Sequence, residues 1–110
     1  MDQPQAWDSD AFGVLDLGAV RLKHMPDHKF RIQQHRADPH TQFASINSVR
    51  KTIYVIAGSL TVASEDGSGV STVQASHFID MPPGRYLITY PERVEWILVL
   101  ELPPQVWLKG

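Results

Sequence analysis

The chain contains no cysteine, which excludes disulfides, thiolate-bound zinc, iron–sulfur clusters and thiol nucleophiles together. No apolar run approaches the roughly 18 residues that a membrane-spanning helix needs; the longest, Trp96 to Leu100, has the length of a strand. Neither sign of charge is in excess. With 10 basic and 12 acidic residues the formal net charge is −2, so there is no basic field to attract nucleic acid or an anionic membrane surface. Met1-Asp2-Gln3-Pro4 has neither the basic nor the apolar region of a secretory signal. Together with the missing disulfides, this gives an expectation of a cytoplasmic protein. No segment holds apolar residues at spacings of three and four over eleven positions, so long amphipathic helices are not expected. There are also no internal repeats and no low-complexity tracts.

What is present fits one small folded domain. The 110 residues are 43% hydrophobic and 20% charged, enough to bury a single core. The polar first dozen residues, with the lone aromatic Trp7, read as an N-terminal arm over residues 1–12, and residues 13–110 as the domain proper. A short helix near Asp8 to Leu17 is compatible with the pattern. Val20-Arg21-Leu22-Lys23-His24 alternates apolar and polar residues, as does Phe30-Arg31-Ile32, and both read as strands separated by a turn at Met25 to His28. Thr52 to Ile56 is β-branched and aromatic and stops at Ala57-Gly58, and Ser59 to Val62 resumes. Glu65-Asp66-Gly67-Ser68-Gly69 is a hairpin loop. Val70 to Ala75 and Phe78 to Met81 follow, then a turn at Pro82-Pro83-Gly84. Tyr86 to Tyr90 and Val94 to Leu102 are the last strands before Pro103-Pro104 ends the sheet. Strands spaced about ten residues apart, with glycine and proline turns, mean an all-β sandwich or barrel.

The segment from Lys51 to Val62, and its spacing to Ala75 through Gly84, resemble the two conserved motifs of the cupin superfamily. Those motifs read G-x5-H-x-H-x3–4-E-x6-G and G-x5-P-x-G-x2-H-x3-N. The matching framework is Gly58, Pro82 and Gly84, the hairpin between the motifs, and the Pro-Pro after the last strand. The resemblance spans roughly residues 30 to 104 and implies a single-domain cupin-like β-barrel of the jelly-roll type. It also implies where a metal would sit, and there the sequence departs. Counting from Gly58, Lys51 stands in place of the glutamate, with Asn47 and Ser45 in place of the two histidines. In the second motif Leu87 falls on the histidine, Pro91 on the asparagine and Ser76 on the opening glycine. A divalent metal needs several converging deprotonated donors, whereas a lysine ammonium only donates and leucine offers nothing. No metal and no cofactor are therefore expected, and metal-dependent oxidase chemistry is excluded with them.

Strand alternation puts Ser45, Asn47 and Lys51 on the barrel-facing side with Ile53 and Val55. Lys51 then serves as an anion anchor or as an amine of lowered pKa, or it snorkels out of the mouth beside Arg50. Gln34, Arg36, Thr89 and Tyr90 are further polar or amphipathic candidates for the same mouth, with Tyr86 and Trp96 as aromatic walls. The ligand-binding set is Lys51, Asn47, Ser45, Arg36, Gln34 and Tyr90. His24 and His28 read as surface loop histidines, and His77 as an exposed turn residue. His35 and His40 are candidates only for reaching in from a neighbouring strand. No Ser-His-Asp arrangement or phosphate loop is present.

Two functions of different class fit these residues. One is metal-free binding of a small organic or anionic metabolite. The other is a metal-independent isomerase, epimerase, cyclase or lyase using barrel-lining acid–base groups. Edge strands of small barrels also invite pairing, so a homodimer is expected, with no nucleic-acid or membrane partner.

Overall fold

A computed structural model describes residues 3–45 and 49–107. Among them nine strands form two antiparallel sheets. The strands are β1 (Gln5–Ala6), β2 (Phe30–Ala37), β3 (Gln42–Ser45), β4 (Lys51–Ala57), β5 (Ser59–Ser64), β6 (Val70–Gln74), β7 (His77–Met81), β8 (Tyr86–Thr89) and β9 (Val94–Glu101). The first sheet runs β1-β7-β4-β9-β2 and the second β3-β8-β5-β6. The hairpin loop, the stop at Ala57-Gly58 and the Pro82 to Gly84 turn fall where the sequence places them. The architecture is all-β and of the jelly-roll type.

The two sheets close on an apolar layer that includes Ile53, Val55, Leu60, Val62, Ile88 and Trp96. The period of two along each strand sends alternate residues the other way. On the second sheet these meet solvent. On the first they meet a second apolar layer, in which Tyr54, Phe78, Ile97 and Val99 pack against Trp7, Leu15 and Val20. The central strands of the first sheet are thus buried on both faces, which is why Lys51 to Val55 contains no exposed residue.

This outer cover corrects one expectation. Val20 to His24 is not a strand: Leu17–Lys23 is a helix, α2, following a shorter one, α1 (Ser9–Phe12). Asp16 caps α2 by accepting from the Ala19 amide at 2.8 Å, and Asp8 does the same for α1 through Ala11, each satisfying an amide that the helix leaves open. Seven residues are too few for the alternation of Val20, Leu22 and His24 to be told from a helical period. The N-terminal arm is docked as well. β1 pairs with β7, and Trp7 is buried, its indole N–H donating to the Gly13 carbonyl at 2.9 Å. A last short helix, α3 (Pro104–Trp107), follows the proline pair. No helix among the described residues is long and apolar enough to cross a membrane.

Candidate functional site

Inward positions on β4 are Lys51, Ile53 and Val55, and on β3 they are Phe43 and Ser45. Lys51 is only 1% exposed. Its Nζ donates to the Gly84 carbonyl at 2.7 Å and lies 5.1 Å from the centre of the Tyr86 ring. Tyr86 is itself buried, and its hydroxyl donates to the Pro82 carbonyl at 2.7 Å. Ser45 is buried directly across from Tyr86 in the β3–β8 ladder. A carbonyl dipole and a ring face thus do part of the work of a counter-ion for this ammonium. Burial disfavours its charge and pushes the Lys51 pKa below the usual lysine value. Lys51 and Ser45 face the interior, whereas Asn47 lies outside the described residues.

Leu87 does not share that interior. Tyr86 and Ile88 turn inward and Leu87 turns out, 37% exposed. The position that the motif count assigns to a histidine therefore lies on the outer face, and an aromatic ring occupies the inner one. Ser45, Lys51 and Tyr86 do not make a metal donor set. Among the described residues no group of three or more histidine, aspartate or glutamate side chains is placed to hold a metal ion.

Gln34 and Arg36 lie on the other side of β2. Phe30 and Ile32 pack into the outer apolar layer, and the period of two carries Gln34 and Arg36 onto that same face. There both meet Glu95: Gln34 Nε2 donates to Oε1 at 2.8 Å, and Arg36 forms a solvent-exposed ion pair at 3.5 Å. They share a surface patch instead of the interior with Lys51.

The inward face of β2 carries Gln33 and His35. His35 stacks on Trp96 with ring centres 4.6 Å apart and lies 5.2 Å from the Phe43 ring; Phe43 meets Trp96 edge-on at 5.7 Å. Tyr90 is buried beside them, 6.2 Å from Trp96. Burial holds the His35 pKa below the ordinary histidine value, so its imidazole is neutral at neutral pH. Its Nε2 donates to Gln33 Oε1 at 3.2 Å, which leaves Nδ1 as an acceptor. Trp96 is fully buried; among the described residues its Nε1–H makes no hydrogen bond of ordinary geometry, and the polar group it lies toward is the Tyr90 hydroxyl. Such a group costs free energy unless something accepts from it.

Phe43 and Ser45 stand two residues apart on one face of β3, about 7 Å along the strand. They join the aromatic cluster to the lysine end. β2 and β3 are edge strands of the two sheets, and the His35–Phe43 ring contact joins them. Gln34 and Arg36, expected at the mouth, are on the outer face, and the inward positions belong to His35, Gln33 and Phe43. Strand alternation was the available signal, but with both faces of the first sheet covered it did not say which set points in. Of the other histidines, His24 is half-buried, its Nε2 2.7 Å from the Tyr54 hydroxyl. It is not the free surface residue expected. His28 and His40 are exposed, and His77 Nδ1 donates to the Ala75 carbonyl at 2.9 Å.

No protein-family model matches the chain, and no curated protein does. Solved structures do. A conserved protein of unknown function from Streptococcus pyogenes superposes with a TM-score of 0.61 at 16% identity, over 68% of this chain and 66% of that one. The EutQ protein of Clostridium difficile gives 0.58 at 17% identity, over 68% of this chain and 53% of its own length. A cupin-2 domain of an XRE-family transcriptional regulator from Enterobacter cloacae gives 0.59 at 15% identity, over 68% and 83%. The match spans less than two thirds of the first two. At these identities the likeness carries the fold alone: this chain has the cupin fold.

Proposed function

We propose that the protein binds a small organic molecule bearing a carboxylate or carbonyl, without a metal, by parting the edge strands β2 and β3 of the two sheets. The observation that carries this reading is the buried Trp96 indole N–H, which among the described residues makes no hydrogen bond of ordinary geometry and has only the Tyr90 hydroxyl near it, set beside a neutral imidazole and two further rings. A ligand oxygen would accept from that indole, and the rings would flank its apolar part. Lys51 and Ser45, at the far end of the β3 face, supply polarity of the sign that suits an anion. Two copies of the chain would pair along the eight-residue edge strand β2, which light scattering tests directly.

The binding claim is tested by ligand-observed NMR on protein dialysed against a chelator, with a panel of small organic carboxylates and neutral carbonyl compounds. A binder should move the Trp96 indole resonance. Trp96→Phe keeps the ring and removes the donor, and should weaken that binder by about threefold to tenfold, the worth of one hydrogen bond. Lys51→Met, apolar and of similar length, should weaken carboxylates more than neutral carbonyls. Binding that requires an added metal, or that is indifferent to Trp96→Phe, would overturn the proposal.

A further inference from the structure

On the outer face of the first sheet, opposite the interior site, the ammonium of Lys23 sits among four aromatic rings. Its Nζ is 4.3 Å from the centre of Phe78, 5.3 Å from Phe12, 5.4 Å from Trp7 and 5.8 Å from Tyr54. The rings form a continuous wall. Phe12 and Trp7 are 5.4 Å apart, Trp7 meets Tyr54 edge-on at 5.7 Å, and Tyr54 stacks on Phe78 at 5.3 Å. Three of the four are buried and fixed: Trp7 by its bond to Gly13, Tyr54 by its hydroxyl against His24, and Phe78 within β7. Phe12, on α1, is about half exposed and makes the front wall. Lys23 forms no ion pair among the described residues, so its charge rests on ring faces and solvent.

We propose that this cage is a binding site for a small alkylammonium group, with Lys23 as a displaceable occupant supplied by the chain itself. The negative faces of several rings around one point favour a cation that sheds its water easily. A primary ammonium is compact and strongly hydrated. A quaternary ammonium spreads the same charge over methyl groups, loses less hydration on entry and gains apolar contact with the same rings. Lys23 holds the position because it is tethered: the last turn of α2 delivers it at high effective concentration. Its stem is flexible and the residue is exposed, so it can swing out to solvent without unfolding the sheet beneath. The apparent affinity for an external cation is the cage's own affinity reduced by the fraction of molecules in which Lys23 is out.

The test is titration of the intact protein with tetramethylammonium chloride against sodium chloride at equal ionic strength, following the Trp7 and Trp96 indole resonances. Tetramethylammonium should shift Trp7 saturably while leaving Trp96, on the other face of the sheet, unmoved. Lys23→Ala should tighten binding by at least about tenfold, because the cage is then always open. Phe12→Ala, at an exposed position that leaves the core intact, should weaken wild-type binding severalfold. Equal Trp7 shifts with sodium chloride, or tightening below about threefold in Lys23→Ala, would overturn the proposal. Should Lys23→Ala fail to fold, the wild-type and Phe12→Ala titrations decide the matter.

Discussion

Gly58 turns β4 into β5 with φ at +79°, and a Cβ built there runs into the carbonyl oxygen of Arg93, in the turn just before β9. Both constraints act on the same residue, so Gly58→Ala should cost more than about 1 kcal/mol, seen as a melting temperature lower by at least about 4 °C. Gly67→Ala is the control. Its φ is also positive, at +78°, but no atom lies within reach of an added Cβ, so its loss should be smaller. The difference between the two isolates the collision from the backbone strain. Ser76 makes the converse point. It stands where the cupin motif has its opening glycine and still adopts φ of +61°, its amide bonded to the Val55 carbonyl and its own carbonyl accepting from Trp7, both at 2.8 Å. A positive φ that favours glycine is thus held by a serine whose amide and carbonyl are both hydrogen-bonded.

The N-terminal cover is the element on which the first sheet depends. Without β1, α1 and α2, the face carrying Tyr54, Phe78, Ile97 and Val99 would be exposed to water, an apolar patch of the kind that drives association. Trp7 is the pin: it touches Phe12 and Tyr54, sits under Lys23 and bonds Gly13. Trp7→Ala should therefore cost about 3 kcal/mol or more, read as a lower urea midpoint, with increased binding of a hydrophobic dye. The same cover explains what the sequence made legible. Strands β4 through β9 were readable because their turns carry glycine and proline and their strands are β-branched and aromatic. α2 was not, because one fully buried residue, Val20, gives a seven-residue segment no period to measure. The inward set on β2 was hidden for a related reason. Phe30 and Ile32 pack against the outer apolar layer, so apolar character on that strand marks the outer side, while His35 and Gln33 face in.

At the scale of the whole molecule, the two faces of the first sheet each hold a half-buried histidine, and this sets the acid side of the stability profile. His35 lies on the inner face, its pKa lowered by burial. His24 lies on the outer face, lowered by burial and then by the neighbouring Lys23 charge, with Asp80 and Glu101 pulling partly the other way. In the unfolded chain both titrate near 6.5. As pH falls through that value the unfolded state takes up protons that the folded state refuses, so stability present above it drains away until the lower folded-state values are reached. Carboxylates unfolded in water titrate near 4, which leaves a window from about pH 7 to about pH 5 that reports chiefly on histidine. The urea midpoint should fall across that window. His35→Phe preserves a flat ring against Trp96, and His24→Gln preserves a partner for the Tyr54 hydroxyl; each should remove part of the fall, and the double variant most of it. An unchanged pH dependence in the double variant would mean that neither histidine is held neutral by its surroundings, and the neutral imidazole assigned to the interior site would go with it.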